Sequence, residues 1–262
     1  MIIDSHCHLI HFSDDEVPKV ISRARQSDVK ILHNICISID NIPKLLKTSL
    51  SHDQVYFSVG VHPLNSSIEN GKFIYVDELV EFAKSKKVIS IGETGLDFYE
   101  SDSKSNQKKS LTSHIEAARI TGLPLVIHTR NADHDIIDIL KSEMKIGIFS
   151  GVIHCFASSK ELAYQAVDLG LYISFSGIIT FKSANLLREI AQNIPRKFTL
   201  VETDAPYLSP EPYRGKRNEP AMIKYTLNCL AELWNELPDK VAEVTTSNFF
   251  RLFTKLNSKE IL

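Results

Sequence analysis

The chain has 262 residues, 43% of them hydrophobic and 24% charged, an ordinary globular composition with ample material for a core. A net charge of −2 excludes a global basic field that would recruit nucleic acid, so a polyanionic substrate would need metals and a local basic patch. Cys7, Cys36, Cys155 and Cys229 stand far apart with no C-x-x-C pair, which excludes a disulfide framework or zinc ribbon. No apolar run approaches the roughly 18 residues of a membrane span, and no secretory signal is visible, so the expected location is the cytoplasm, away from any membrane.

In chain order, short β-rich apolar runs predict strands at 2–3, 29–39, 55–61, 88–91, 123–127, 151–153, 171–175 and 198–201. Their spacing corresponds to about one βα unit each. Between them, residues 77–86 place Leu79, Val80, Phe82 and Ala83 on one helical side. Residues 111–120 repeat the pattern with Leu111, Ile115, Ala118 and Arg119, as do 136–144. Ser158 or Ser159 caps a helix over 160–169 that Gly170 closes. Two further helices, 219–235 and 241–255, end the chain, one more than the repeat requires. The strands are apolar throughout rather than alternating, as in a parallel sheet covered on both faces. The expected fold is therefore α/β, a TIM-type (β/α)8 barrel in a single domain over 1–262 with extra C-terminal helices; an open doubly wound sheet is the alternative.

In such a barrel function sits at the C-terminal ends of the strands. Those ends carry His6 and His8, His62, Glu93, His128, His154 and Asp204 in turn. Each alone has a structural explanation, as a hydrogen-bonded core histidine or a turn-capping carboxylate. Scattered core histidines, however, have no reason to choose the same end of every strand. His6 and His8, two residues apart on an extended backbone, share a face and can grip one metal together.

Four of these histidines with two carboxylates exceed one tetrahedral zinc and suit two divalent ions. Glu93, midway round the barrel, is the expected bridge. His6, His8 and Asp204 meet where the barrel closes and would hold one ion; His128 and His154 on adjacent strands would hold the other. Such a pair lowers the pKa of a bridging water, supplies a hydroxide nucleophile and stabilises charge on a phosphoryl or carbonyl oxygen. Asp204, besides ligating, would orient the water or take its proton, making Asp204 and Glu93 the catalytic pair. His62 fits better as a substrate or leaving-group contact. The mixed nitrogen and oxygen set tolerates Zn, Mn or Fe.

The motifs Asp4-Ser-His-Cys-His8, Gly60-Val-His-Pro63, Gly92-Glu-Thr-Gly-Leu-Asp97, His128-Thr-Arg130, His154-Cys-Phe156, Glu202-Thr-Asp-Ala-Pro-Tyr-Leu208 and Gly215-Lys-Arg-Asn-Glu-Pro220 resemble successive signatures of the TatD family of metal-dependent deoxyribonucleases. Asn248-Phe-Phe-Arg-Leu-Phe253 resembles that family's closing helix, so the resemblance runs from Met1 to about Phe253. It implies an amidohydrolase-like barrel, the same six ligands, Mg, Mn or Zn at the site, and 3′-to-5′ exonuclease or endonuclease action on DNA. Some members are credited with removing D-amino acids from tRNA. Two positions depart from the family pattern: Leu64 stands where another His is common, and Ala157-Ser-Ser replaces the commoner Thr-Gly-Ser. Both bear on substrate preference and leave the ligand set intact.

On the substrate side, Arg214, Lys216 and Arg217 form a short basic run beside Tyr207 and Tyr213. Arg supplies forked donors for phosphate, and an aromatic ring gives a base something to stack on. Arg130 is expected to contact phosphate or pair with a carboxylate, and Glu219 to brace its loop or open a helix. Cys7 and Cys155 adjoin ligand histidines but should point the other way as packing residues. His11, His33, His52, His114 and His134 fit no strand-end slot and are expected to be surface or structural. The expected partner is DNA, at ends or as single strands. A monomer is favoured, with the oligomeric state otherwise open. The leading expectation is a metal-dependent deoxyribonuclease; the alternatives are a barrel hydrolase acting on an ester or amide, such as a D-aminoacyl-tRNA, and a non-catalytic nucleic-acid-binding barrel.

Overall fold

The computed structural model describes residues 1–66, 76–100 and 103–257. Eight strands pair in parallel and in chain order: β1 (Ile2–Cys7), β2 (Val29–Asn34), β3 (Val55–Val59), β4 (Val88–Asp97), β5 (Leu125–Arg130), β6 (Gly151–Ile153), β7 (Tyr172–Phe175) and β8 (Thr199–Val201). The sheet curls into a nearly closed (β/α)8 barrel. Its seam is laced rather than laddered: Ser5 Oγ donates to Val201 O at 2.9 Å, Asp204 N to His6 O at 2.9 Å, and His8 N to Ala205 O at 2.7 Å.

Around it run α1 (Val17–Gln26), α2 (Ile42–Ser51), α3 (Val76–Ala83), α4 (Lys104–Thr121), α5 (Asp133–Ile146), α6 (Lys160–Asp168), α7 (Asn185–Asn193), α8 (Ile223–Trp234) and α9 (Pro238–Leu252). Their inward stripes explain their places. In α1, Val17, Val20, Ile21 and Ala24 are buried at three-to-four spacing, with Pro18 pre-set in the first turn. Helix α4 stops at Gly122, whose φ of 69° provides the left-handed C-terminal cap. Ser159 caps α6 by accepting a hydrogen bond from Leu162 N. No helix among the described residues is long and apolar enough to cross a membrane.

The additional closing helix plugs the bottom of the barrel. Phe249 and Leu252 of α9, with Phe253 just past its end, pack against Ile3, Ile31, Ile89, Val126, Val152, Tyr172 and Leu200, drawn from seven strands. Each such burial contributes about 1.5–3 kcal/mol. Asn248 fastens the helix by donating to both Arg196 O and Thr199 O at 2.8 Å. Next to this plug lies His33, its ring 5.0 Å from that of Phe253, with Nδ1 3.0 Å from Ser5 O and Nε2 2.8 Å from Ser90 Oγ. The barrel is therefore filled from the bottom by apolar side chains and then by a hydrogen-bonded polar layer, which leaves the strand C-termini to carry the chemistry.

Strand β4 runs six residues further than the predicted 88–91, so Glu93 lies within a strand rather than past its end. The Gly-Glu-Thr-Gly run has one β-forming side chain, Thr94, between residues depleted in strands, yet glycine is what the packing requires there. Gly95 has φ 145°, and a Cβ on it would come within 1.9 Å of His128 O. This close approach lets Thr94–Asp97 pair with Ile127–Arg130 and carries two site-bearing strands side by side.

Candidate metal centre

His6 lies in β1 and His8 just beyond it, and their Nε2 atoms converge to 3.1 Å. Cys7 between them points outward, fully buried, with Sγ directed at His33 O. Asp204 joins them across the seam: its Oδ1 is 3.6 Å from His6 Nε2 and 3.3 Å from His8 Nε2. The residue has φ 56°, a left-handed conformation that Asp tolerates, which turns its side chain back toward β1. Asp4 holds the same seam, accepting from Thr203 Oγ1 at 2.6 Å and Thr203 N at 2.9 Å. Burial pushes its carboxyl up to about 8.

Glu93 is the hub. Its Oε1 lies 2.8 Å from His154 Nε2, 3.1 Å from His128 Nδ1 and 3.4 Å from His62 Nε2. Its Oε2 faces His6 Nε2 at 3.5 Å and His8 Nε2 at 3.8 Å. The His6 and His154 rings stack at 3.8 Å, which places the two histidine pairs side by side. Two further carboxylates take the outer nitrogens: Glu202 Oε1 is 3.4 Å from His154 Nδ1, and Asp97 Oδ2 is 3.3 Å from His128 Nε2. Each favours a proton on the outer nitrogen, which would leave the inner nitrogen to ligate a cation held beside Glu93.

The electrostatics follow from these contacts. Burial opposes charge on Glu93, yet His154, His62 and His128 hold its carboxyl well below the ordinary range. Burial likewise opposes charge on His154, but Glu93 and Glu202 hold it well above its ordinary value. His8 is raised against burial by Asp204, and His128 by Asp97 and Glu93. His6 is lowered, by burial and then by His154; His62 is lowered by burial to about 4.

The donor set fits divalent cations. Glu93 Oε2 is buried and has no hydrogen-bond partner among the described residues, while imidazole nitrogens converge on it. His6, His8 and Glu93 bring ligand atoms within 4.8 Å of one another, as do His62, Glu93 and His128, and His6, His154 and Glu202. A mixed imidazole and carboxylate set of this kind suits Zn or Mn. All six residues expected as ligands, His6, His8, Glu93, His128, His154 and Asp204, therefore stand together. His62, expected to meet substrate, lies as close to Glu93 as several of them.

The mouth above the centre has two arms that share His128, Arg130, His154, Asp204 and Tyr207. The wider arm, about 930 Å³, continues along Tyr99, Asn131, Cys155 and Ile178; the narrower, about 470 Å³, along His11, Ile37, His62 and Leu64. Arg130 pairs with Glu100 at 2.7 Å. Arg214 and Arg217 line neither arm: Arg214 lies over the Phe181 ring at 4.4 Å, and Arg217 pairs with Glu16 at 2.9 Å over Phe12. Glu219 braces the β8 loop to α1 through Arg23 at 2.6 Å. Cys155 departs from the expected outward packing and borders the wider arm. Strand β6 ends at Ile153, so alternation no longer governs, and φ 44° turns the residue toward the opening. Three residues at the site escaped the sequence reading, Asp97, Glu202 and Tyr99; His11 is exposed as expected and also borders the narrower arm. Asp97 and Glu202 lie inside motifs quoted above, which is the only signal they offered.

Residues 3–254 match the family described as TatD related DNase. The chain belongs to the TatD family. It is 40% identical over 257 residues to the uncharacterized metal-dependent hydrolase YcfH of Escherichia coli K12, covering 96% of this chain and 95% of that one. It is 34% identical to the uncharacterized metal-dependent hydrolase YabD of Bacillus subtilis, with 97% and 99% covered. Among solved structures, the TatD homologue YjjV of Escherichia coli superposes with a TM-score of 0.86 at 27% identity, covering 97% and 98% of the two chains. The present TatD protein is thus a metal-dependent hydrolase, and the His and Glu cluster at the strand ends is the part of it that could hold metals.

Proposed function

We propose that this TatD-family hydrolase is a deoxyribonuclease that cleaves phosphodiester bonds of DNA from the 3′ end, with two divalent cations, Mg, Mn or Zn, held by His6, His8, Glu93, His128, His154 and Asp204. The observation that carries this reading is the convergence of two imidazole pairs on one buried carboxylate at the floor of an open cavity. When bound, the cations would polarise a water and neutralise charge developing on a phosphoryl oxygen.

The chain's own residues supply the rest. Asp204 sits at the boundary between centre and cavity, 9% exposed, where its carboxylate can accept the proton of an attacking water. Glu202 and Asp97 fix the rings of His154 and His128 so that their inner nitrogens need no reorganisation during the reaction. His62 and Tyr207 border the cavity as the nearest substrate contacts, and Arg130 stands beside them in its wall, paired with Glu100. Arg214 and Arg217, exposed on the same loop as Tyr207, carry positive charge for a strand beyond the cavity.

The test is cleavage of end-labelled single- and double-stranded DNA, with a D-aminoacyl-tRNA in parallel, under Mg, Mn or Zn. The expected result is shortening of DNA from its 3′ end, abolished in His128→Ala and Glu93→Ala. Hydrolysis of the aminoacyl ester with no cut in DNA would overturn the reading in favour of an acyl hydrolase.

A further inference from the structure

We propose that Tyr99 is the stacking surface for one unpaired nucleobase of the substrate, and that Arg130 serves as the brace of that ring. The inference rests on the nuclease reading and deepens it, since it assigns what the cavity selects besides phosphate.

Tyr99 lies two residues past Asp97, and Asp97 Oδ1 accepts hydrogen bonds from Tyr99 N at 3.0 Å and Glu100 N at 3.2 Å. The carboxylate whose other oxygen faces His128 therefore also sets the position of the Tyr99 backbone relative to the centre. The ring itself is fixed from one side: the Arg130 guanidinium carbon lies 3.9 Å from its centroid. Arg130 is in turn tied to Glu100 at 2.7 Å and lies 3.9 Å from Asp97. A guanidinium so neutralised is a poor free phosphate anchor and a good support for a ring.

Despite this support Tyr99 is 63% exposed, and it borders the wider arm whose floor is His128, His154 and Asp204. Tyr207, 50% exposed, borders the same arm with its ring set against His8 and His11 at 6.1 and 5.7 Å. The cavity thus offers polar groups on its floor and aromatic rings on its walls. A phosphodiester over the floor carries a flat, apolar-faced base within one sugar of it, and a pre-oriented ring loses little freedom on stacking. In a duplex both faces of each base are already stacked. The arrangement therefore selects a frayed or single-stranded end.

The experiment measures kcat/KM on single-stranded oligonucleotides carrying an abasic residue at each position near the 3′ end in turn, for wild type, Tyr99→Ala, Tyr99→Leu and Tyr99→Phe. At one position, base removal should cost the wild type and Tyr99→Phe about tenfold. The same removal should cost Tyr99→Ala and Tyr99→Leu less than about twofold, since the stack is already gone. Equal penalties in wild type and Tyr99→Leu at every position would overturn the proposal while leaving the nuclease reading intact. No cleavage of any oligonucleotide by the wild type would instead overturn the reading beneath it. Melting curves confirm that each variant is folded, and Tyr99→Leu keeps the bulk of the side chain should the alanine variant prove unstable.

Discussion

His128 Nδ1 and His154 Nε2 lie 3.2 Å apart over Glu93, and each ring has its far nitrogen beside a different carboxylate, Asp97 for one and Glu202 for the other. The two rings use opposite nitrogens to face the same point, because His128 is still within β5 whereas His154 lies past the end of β6. The outer carboxylates therefore decide which nitrogen of each ring is free to ligate.

Asp97→Asn tests this relationship. The amide keeps an oxygen for the backbone N–H groups of Tyr99 and Glu100 but turns an NH2 toward His128 Nε2, which disfavours the ligating tautomer. Affinity for Mn or Zn should fall about 10–100-fold by titration calorimetry, with the fold unchanged by circular dichroism. Unaltered affinity would show that Asp97 only caps its loop.

Gly95→Ala tests how the centre is built into the sheet. The new methyl would stand 1.9 Å from His128 O at a φ of 145°, so β4 and β5 must separate. A loss of about 3 kcal/mol is expected, lowering Tm by roughly 5–10 °C in a chain of this size. Metal affinity should fall with it, because His128 and Glu93 ride on the separated strands. A Tm equal to that of the wild type would refute the close approach.

These two residues mark what the sequence could and could not disclose. The pairing of His6 with His8, and of both with Asp204, is legible because strand alternation is local and barrel closure brings the first strand to the last. The eight-fold repeat is legible from apolar runs alone. The length of β4 is hidden, because its second half is specified by room for backbone at Gly95 rather than by side-chain propensity. The duties of Asp97 and Glu202 depend on ring orientations set by neighbouring strands, to which one-dimensional spacing is blind. The inward turn of Cys155 is hidden for a third reason, a positive φ at a strand end.

Salt dependence separates the arginines. Arg217 is exposed; it donates to His11 O at 2.7 Å, and among the described residues its one carboxylate partner is the exposed Glu16, which it can exchange for a phosphate. For single-stranded DNA, the slope of log K against log salt should shrink by about 0.7 in Arg217→Ala. Arg130→Ala should weaken binding without altering the slope, as befits a brace already paired with Glu100. A reduced slope in Arg130→Ala would assign it to phosphate after all. Binding is measured by fluorescence anisotropy at several salt concentrations.

His114 gives the fold a pH dependence of known sign. The ring is fully buried; its Nε2 accepts from Val61 N at 3.0 Å, so Nδ1 carries the proton and donates to Ser110 O at 2.7 Å. Burial accordingly lowers its pKa from 6.5 to about 4. A group with a depressed histidine pKa stays neutral in the folded chain while the unfolded chain takes up a proton below 6.5, so stability falls as pH drops from about 6.5 toward 4 and levels off below. The interval between those two values corresponds to about 3 kcal/mol. His114→Asn removes the titration, and the stability advantage of the wild type over it should narrow steadily between pH 7 and pH 5 in urea unfolding. A difference that stays constant over that range would mean that His114 is not neutral in the fold. Because Val61 precedes His62, the same hydrogen bond also sets the edge of the metal centre, and the variant should lose affinity for metal even at neutral pH.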